Sequence, residues 1–414
     1  MDFFAKYKKI LFIAGFVLVA VIFGYFLFLL FFKSSLPSSE EKEIVSTTTE
    51  SGGLPTAGQG TFETTEEKTG GVLPDIEETT TRQADIVAKG GITSAPVMEE
   101  QEVMGLAQNT DSGYVNYYNK DDGKFYRIGA DGRQIALSDQ IFYEASNVVW
   151  SPKQNKAVIE YPDGSKIVYD FDKKVQTTLP KHWEDFNFSP SGEKIVAKSL
   201  GLDPENRWLI TSNDDGSMIK PIEALGNYAS TVYPSWSPNN QVVAMYTKSL
   251  DIDRQEVFFL GQNNENFKSM VIEGRGFEPS WSSNGEKLLY SVYSSQDNLK
   301  PNLWIAGAQG QNIGAGRKKL NVETWADKCV FTGNVEIYCA VPDNLPEGAG
   351  LFPEMSKTTK DKLYKINTET GTKKLVAVPE ESLSMSDLTI TADNKYLFFT
   401  DNQTGQLRRI QLEN

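Results

Sequence analysis

The sequence predicts an all-β fold, a β-propeller of seven four-stranded blades, with six blades as the alternative. Six similar segments recur in the C-terminal three quarters of the 414-residue chain, at spacings of 38, 48, 45, 44 and 65 residues. The runs between them are short, rich in β-branched and aromatic residues and bounded by polar turns, whereas helical periodicity is almost absent. Spacings of this length are typical of propeller blades.

Each recurring segment combines a strand with a signal that ends it. The segments end on a large anchor residue, namely Trp150, Phe188, Trp236, Trp281, Trp325 and, in a degenerate copy, Ile390. A Ser-Pro pair or its equivalent follows most anchors and stops the strand, because proline cannot donate to the ladder. Turns such as Ser191-Gly192 and Asn284-Gly285 then lead into second and third strands. We therefore expect the tryptophans to pack in blades rather than to stack on a sugar.

The number of blades follows from the length of the repeat region. Residues 103–414 number 312, or about 45 per blade for seven blades and about 52 for six. The observed spacings favour seven. Strands precede the first anchor and three more follow Asp387, so we expect N- and C-terminal strands to share the blade that closes the ring.

The repeated element x-Pro-x-Trp-Ser-Pro-x-Gly-x-x-Leu resembles the WD40-like (PD40) repeats of the TolB-type β-propeller family, over roughly Tyr114 to Leu412. The resemblance implies a six- or seven-bladed propeller, of a kind that mostly binds other proteins. Related propellers also cap prolyl-oligopeptidase-type peptidases. This chain departs from that pattern in having an anchor segment instead of a cleaved signal, and it lacks a following α/β-hydrolase sequence.

The N-terminal region predicts a membrane anchor. Residues 10–32 form an uncharged run of 23 residues, which as a helix spans about 34 Å and crosses a bilayer. A cleaved signal peptide, the alternative, has a shorter apolar region and a small-residue cleavage site. Lys6, Lys8 and Lys9 precede the run, which favours cytoplasmic residues 1–9, a single pass through the cell membrane and an extracytoplasmic propeller.

The segment between the anchor and the propeller predicts a linker. Residues 33–102 contain 14 acidic and five basic residues, many Ser, Thr, Gly and Pro, and a single aromatic residue, Phe62. A segment this polar cannot bury enough apolar surface to offset its chain entropy, so we expect it to be disordered. The propeller then occupies residues 103–414.

Composition restricts the function. A formal net charge of −14 argues against nucleic-acid binding. Two cysteines and a single histidine, His182, argue against a metal centre. The sequence has no nucleophile elbow and no phosphate-binding loop, so we expect no cofactor and no catalytic residue. The expected function is an interaction scaffold for a protein partner or a cell-envelope component.

The alternative is a propeller enzyme that acts on glycans or peptides through acidic residues. Carboxylates gather in loops between predicted second and third strands, at Asp203, Glu205, Asp251, Asp253 and Asp297. Paired carboxylates at a channel mouth can bind Ca²⁺ or perform acid–base chemistry. A charged, solvated rim is the simpler interpretation.

Two further features carry residue-level predictions. The insertion from about Asp343 to Asp361 offers Leu351, Phe352 and Met355, apolar residues that a solvated loop does not need. We expect them to bind a partner, or, as the alternative, to pack over the channel as a plug. Cys329 and Cys339 flank a turn at 333–335 that would place them opposite each other, which predicts a disulfide bond rather than two packed thiols.

Overall fold

The computed structural model describes residues 18, 83–108, 113–263 and 265–413. The predicted transmembrane helix and most of the predicted linker lie outside the described residues. Within these ranges, no helix combines the length and the apolar character needed to cross a membrane. Residues from 83 onward belong to one compact unit, Glu67–Asn414.

Seven sheets, each with four antiparallel strands, form the blades of a β-propeller, so the seven-blade prediction is confirmed. Three short strands come first: β1 (Val87–Ala88), β2 (Gly91–Thr93) and β3 (Val97–Glu99). Blade 1 contains β4 (Val103–Gln108), β5 (Tyr114–Asn119), β6 (Lys124–Gly129) and β7 (Gln134–Ala136). Blade 2 contains β8 (Asn147–Trp150), β9 (Lys156–Glu160), β10 (Lys166–Asp170) and β11 (Val175–Leu179). Blade 3 contains β12 (Trp183–Phe188), β13 (Lys194–Leu200), β14 (Arg207–Asn213) and β15 (Lys220–Ala224).

The remaining blades follow the same order. Blade 4 contains β16 (Val232–Pro234), β17 (Val242–Ser249), β18 (Arg254–Gly261) and β19 (Met270–Glu273). Blade 5 contains β20 (Arg275–Trp281), β21 (Lys287–Tyr293), β22 (Pro301–Gly307) and β23 (Lys318–Lys319). Blade 6 contains β24 (Cys329–Phe331), β25 (Glu336–Pro342), β26 (Asp361–Asn367) and β27 (Lys373–Pro379). Blade 7 contains β28 (Met385–Ile390), β29 (Tyr396–Asp401) and β30 (Leu407–Leu412).

Within residues 83–108, 113–263 and 265–413, the helical content is confined to short 3₁₀ turns. They span Pro204–Asn206, Ala229–Thr231, Ser295–Asp297, Gly310–Asn312, Ala326–Lys328 and Pro353–Thr358. First strands of successive blades contact each other, for example β4 with β8 and β28 with β4, so these strands surround the central channel. Between blades 5 and 7, the turn Ala326–Lys328 contacts the first strands β20 and β28 and so takes the place of a first strand beside the channel.

The ring closes through strands from the two ends of the propeller sequence. Strand β3 pairs antiparallel with β30, with Val97 opposite Arg408, and completes blade 7. Strand β1 pairs parallel with the far end of β30, and β2 pairs parallel with β27 in blade 6. The expected sharing of one blade is confirmed. The linker was predicted to reach Glu102, whereas strands begin at Val87, so the ordered chain starts earlier than that boundary.

A hydroxyl residue closes the turn between the first and second strands of several blades. Ser237 Oγ accepts a hydrogen bond from the backbone N–H of Val242 at 2.9 Å, and Ser282 Oγ accepts one from Lys287 at 3.0 Å. Three residues after each serine the backbone has positive φ, at Asn240 and Gly285. Asparagine and glycine tolerate this conformation, which explains the repeated Ser-x-x-Asn/Gly pattern.

The tryptophans that end the first strands of blades 2 and 5 pack between blades, as predicted. Trp150 of blade 2 donates its indole N–H to the carbonyl of Gly105 in blade 1, at 2.6 Å. Gly105 has φ of +64°, and a Cβ there would lie 2.9 Å from the Cβ of Val148, so glycine allows the close approach. Trp281 of blade 5 donates to Ser235 Oγ of blade 4 at 2.9 Å.

The prediction that Trp325 ends a first strand is wrong. The first strand of blade 6 is β24, which begins at Cys329, and Trp325 lies in the connection before it. Its side chain is buried against Leu345 and Ala349 of the insertion. A tryptophan that packs under the insertion and one that ends a first strand are equally apolar. The spacing in the sequence therefore did not distinguish these two positions.

The strand order divides the connecting segments between two faces. The loop face contains the second-to-third-strand loops and the blade connections; its segments are 100–102, 120–123, 137–146, 161–165, 180–182, 201–206, 225–231, 274, 250–253, 294–300, 320–328, 343–360, 380–384 and 402–406. The turn face contains the other described segments, 113, 130–133, 151–155, 171–174, 189–193, 214–219, 235–241, 262–263, 265–269, 282–286, 308–317, 332–335, 368–372 and 391–395.

Candidate functional site: the loop face

Exposed apolar side chains concentrate on the loop face. Nine large ones lie in its segments, namely Ile141, Tyr143, Leu202, Tyr228, Leu250, Ile252, Leu351, Phe352 and Met355. The turn-face segments carry two, Met218 and Ile219, among the described residues. Single exposed apolar residues are ordinary on protein surfaces, but a concentration on one face marks an interaction surface.

The first half of the 343–360 insertion is fixed to the blade 5 loop. The backbone N–H groups of Gly348 and Gly350 donate to the carbonyls of Asn298 and Leu299, at 3.0 and 2.8 Å. Both acceptor residues have positive φ, of 53° and 56°. This conformation is unfavourable for leucine and persists only where surrounding contacts hold it. The insertion therefore has a defined position on blade 5.

The second half of the insertion is fixed to the connection between blades 6 and 7. Ser384 Oγ donates to the carbonyl of Ser356 at 2.9 Å. Between these attachments Leu351, Phe352 and Met355 remain 45, 56 and 44% exposed. The insertion is packed through Leu345 and Ala349, and the three predicted partner-binding residues face solvent.

The loop face is also strongly acidic. Its segments contain 19 Asp and Glu residues against six Lys, whereas the described turn-face segments contain nine acidic and seven basic residues. The net charges are thus −13 and −2. Charge of one sign concentrated on one face creates a field that attracts cationic partners.

The predicted acidic rim lies on this face but does not form one cluster of free carboxylates. Asp251 pairs with Arg254 at 2.7 Å, and Asp297 pairs with Lys319. Asp253 accepts hydrogen bonds from the backbone and side chain of Ser295 in the neighbouring blade. These hydrogen bonds hold the pKa values of Asp251 and Asp253 below the ordinary range. Both stay ionised at neutral pH, so neither supplies a proton donor.

Of the other two rim residues, Asp203 precedes a short 3₁₀ turn in the blade 3 loop, Pro204–Asn206, and Glu205 lies within it. Within the described part of the chain they make no ion pair. They lie beside Leu202, which is 97% exposed. The rim is therefore a set of separate acidic loops.

Sequence reasoning missed a second group of carboxylates, on the innermost strands β20 and β28 and on the turn Ala326–Lys328. Burial and the nearby Asp327 raise the pKa of Glu278 to about 7, although Ser291 donates a hydrogen bond to it at 3.2 Å. Asp327 and Asp387 remain exposed to solvent, but the protein that surrounds them raises the pKa of both by desolvation, and the charge of Asp327 raises the pKa of Asp387 further. The signal was a shared repeat position, since Glu278 and Asp387 each stand three residues before an anchor.

The cysteines form a disulfide bond. Cys329 of β24 and Cys339 of β25 are directly paired and have Cα atoms 4.1 Å apart. The register matches a turn at 333–335, because the Thr332 N–H donates to the Glu336 carbonyl at 3.0 Å.

His182 is exposed in the connection between blades 2 and 3. Among the described residues, no group of three or more His, Cys, Asp or Glu could hold a metal ion.

The turn face carries a polar cavity of about 480 Å³ between blades 5 and 6. Lys287, Lys318 and Glu369 are among its lining residues. Lys287 pairs with Glu369 at 2.8 Å, and Lys318 donates to the Glu369 carbonyl at 3.0 Å. The lysines are thus engaged with the wall of the cavity, which gives no selective ligand chemistry.

No protein-family model and no curated protein matches the sequence, whereas many solved structures do. The chain is similar to the Cps50 (Swd1) β-propeller domain of Myceliophteria thermophila, with a TM-score of 0.51 and 9% identity over 77% of this chain and 100% of that one. It is also similar to an oligogalacturonate lyase from Vibrio parahaemolyticus, with a TM-score of 0.50 and 11% identity over 76% of this chain and 90% of that one.

A third similar structure is the tricorn protease, with a TM-score of 0.49 and 11% identity over 77% of this chain. The chain covers 34% of that protein, about a third of its length. At these identities, the likenesses to the Cps50 domain and to the Vibrio lyase show the fold alone. The chain has a β-propeller fold, and the similar structures include an oligogalacturonate lyase as well as the Cps50 β-propeller domain.

Proposed function

We propose that this protein is a membrane-anchored, extracytoplasmic β-propeller that binds a protein partner through its loop face. The concentration of nine exposed apolar side chains on that face, against two on the other, is the observation that carries the proposal. An insertion that is fixed at both ends and presents Leu351, Phe352 and Met355 is pre-organised for binding, because little conformational freedom remains to be lost. The resemblance to PD40 repeats of TolB-type propellers supports the same function.

The proposed extracytoplasmic location rests on the lysines that precede residues 10–32 and is supported by the cysteines. A disulfide bond between Cys329 and Cys339 persists in oxidising compartments and is rare in the cytosol. Protease added to intact spheroplasts should therefore release a fragment of the size of the propeller. Protection of the propeller until lysis would contradict this location.

Affinity capture with paired variants tests the interaction. The variant Phe352→Ser with Met355→Ser should lose a captured partner, because it removes exposed apolar contacts. The matched control, Met218→Ser with Ile219→Ser, removes the exposed apolar residues of the turn face and should retain the partner. Equal capture by both variants would show that Phe352 and Met355 do not contribute to partner binding. An envelope polymer is the other candidate ligand, and identification of the captured material distinguishes the two.

A propeller enzyme acting on glycans or peptides is the second candidate function. Glu278, with its pKa near 7, is close enough to Asp327 to be affected by its charge. A carboxyl group that is partly protonated at neutral pH, beside a second carboxylate, is an arrangement used in acid–base catalysis. A hydrolase and lyase screen should then give an activity that Glu278→Gln abolishes. An activity unaffected by this substitution would exclude Glu278 as its catalytic acid.

A further inference from the structure

The exposed apolar residues of the loop face stand beside carboxylates. Leu202 precedes Asp203, Ile252 lies between Asp251 and Asp253, and Phe352 is two residues from Glu354. Their side chains are 97, 86 and 56% exposed. The same combination therefore recurs in the loops of blades 3, 4 and 6.

Several of these acids are free to act on a partner. Asp203, Glu205, Glu347 and Glu354 make no ion pair within the described ranges. Burying such carboxylates against an apolar surface alone would cost free energy, because each would lose its hydration without compensation. A partner that covers Leu202 or Phe352 must therefore bring positive charge to the adjacent acids.

We propose that the loop face binds a basic segment of a partner protein in which lysine or arginine residues alternate with large apolar residues. This inference rests on the proposed function and specifies the chemistry of its partner. Apolar side chains of the segment contact Leu202, Ile252 and Phe352, while its cations approach the carboxylates beside them. The net charge of −13 on the face steers such a segment to it over longer range.

Charge excludes two other occupants. Residues 33–82 of this chain contain ten acidic and four basic residues, so that segment is repelled by the face. A second copy of the propeller, docked through the same face, would bring two surfaces of net charge −13 together. Like charges juxtaposed in an interface cost several kcal/mol. A separate, cationic partner satisfies both the apolar and the acidic groups.

A random 16-residue peptide library, selected against the full-length protein at about 0.15 M salt, tests the inference. Three proteins are compared in binding the enriched peptides. The first is the wild type. The second is a loop-face variant with Asp203→Asn, Glu205→Gln, Glu347→Gln and Glu354→Gln. The third is a turn-face control with the same change in charge, Asp131→Asn, Asp172→Asn, Glu193→Gln and Glu286→Gln. Thermal melting verifies that all three are folded.

The expected peptides are rich in Lys or Arg together with Leu, Phe or Trp. Their affinity should fall about 10-fold in the loop-face variant and about 10-fold between about 0.05 and 0.3 M salt, because screening weakens exposed ion pairs. The turn-face control should bind within about 2-fold of the wild type, since its altered charges lie on the opposite face.

Other outcomes separate the two proposals. Enriched peptides that are neutral or acidic, but lose affinity in the Phe352→Ser and Met355→Ser variant, would overturn the basic partner and leave the loop face as the binding surface. Basic peptides that bind the loop-face variant and the turn-face control equally would overturn the charge-based recognition. Enrichment of no peptide, or of peptides insensitive to every loop-face substitution, would contradict the proposed function itself.

Discussion

Lys328 Nζ lies 2.6 Å from Asp361 Oδ2, and both side chains are closed off from solvent, at 5 and 0% exposure. The same Asp361 oxygen accepts the backbone N–H of Met385 at 2.7 Å. One ion pair thus links the turn before blade 6, the third strand of that blade and the first strand of blade 7.

Removing one partner of this pair should destabilise the propeller strongly. Lys328→Met leaves a buried carboxylate without a counter-charge, which costs about 3–5 kcal/mol. The control Lys300→Met breaks a more exposed pair with Glu323 and should cost less than about 1 kcal/mol. Urea unfolding curves measure both free energies of unfolding. A loss below about 1 kcal/mol for Lys328→Met would contradict this account.

The stability of the protein should depend on the protonation of Glu278. Its pKa is about 7 when folded, against 4.5 ordinarily, so the folded state binds this proton more tightly than the unfolded state. The free energy of unfolding therefore increases as the pH falls from about 7 to 4.5. Above pH 7, the ionised side chain of Glu278 destabilises the folded state. Glu278→Gln should raise the melting temperature by a few degrees at about pH 8. The difference should vanish near pH 4; a variant that melts below the wild type at pH 8 would oppose this prediction.

The disulfide bond should contribute modestly to stability. The loop between Cys329 and Cys339 is short, so the bond removes little entropy from the unfolded chain, equivalent to about 2–3 kcal/mol. Reduction under native conditions should lower the melting temperature by several degrees. Thiol titration of protein purified without reductant should find no free cysteine. Two free thiols would contradict the bond and weaken the proposed location.

Two leucines of the insertion should behave differently when truncated. Leu345 is 2% exposed and packs on Trp325, whereas Leu351 is 45% exposed. Leu345→Ala should cost about 2–4 kcal/mol, because it opens a cavity. Leu351→Ala should change stability by less than about 0.5 kcal/mol and should weaken partner capture. Similar stability losses for both variants would support the plug interpretation.

The N-terminal strands should be essential for closing the ring. A chain that begins at residue 83 keeps β1, β2 and β3, whereas one that begins at Val103 leaves the outer edge of β30 unpaired. The shorter chain should melt well below the longer one and aggregate, because an open edge pairs with other chains. Size-exclusion chromatography and thermal melting compare the two chains. Equal stability would show that β1, β2 and β3 are not needed to close the ring.

Local turn chemistry made most of the blades predictable. A serine that closes a turn, followed by Asn240 or Gly285 at positive φ, is a short-range pattern, and so second and third strands were found in the sequence. The sequence predicted that N- and C-terminal strands share a blade, but it did not predict which strands pair. Strands of two or three residues, such as β1 and β2, have no periodicity, and their partners lie about 300 residues away. Their pairing depends on closure of the whole ring.

The candidate site was predictable where it depended on composition. The apolar tips Leu351, Phe352 and Met355 stood out in a polar loop and are exposed. The positions of Leu345 and Trp325 were not predictable, because the insertion and the connection it covers meet only in the folded ring. The raised pKa of Glu278 was not predictable either. It arises from burial near Asp327, and the two residues come close only in the folded ring.

The pairing of Val97 with Arg408 has a consequence for biosynthesis. Strands β1 to β3 leave the ribosome first, but their partners β27 and β30 are among the last to be made. Until then blade 7 cannot form, and the growing chain presents unpaired strand edges. Contacts between such distant residues slow folding and prolong exposure to aggregation. Any nascent chain that stops before residue 407 therefore lacks β30, the strand with which β1 and β3 must pair.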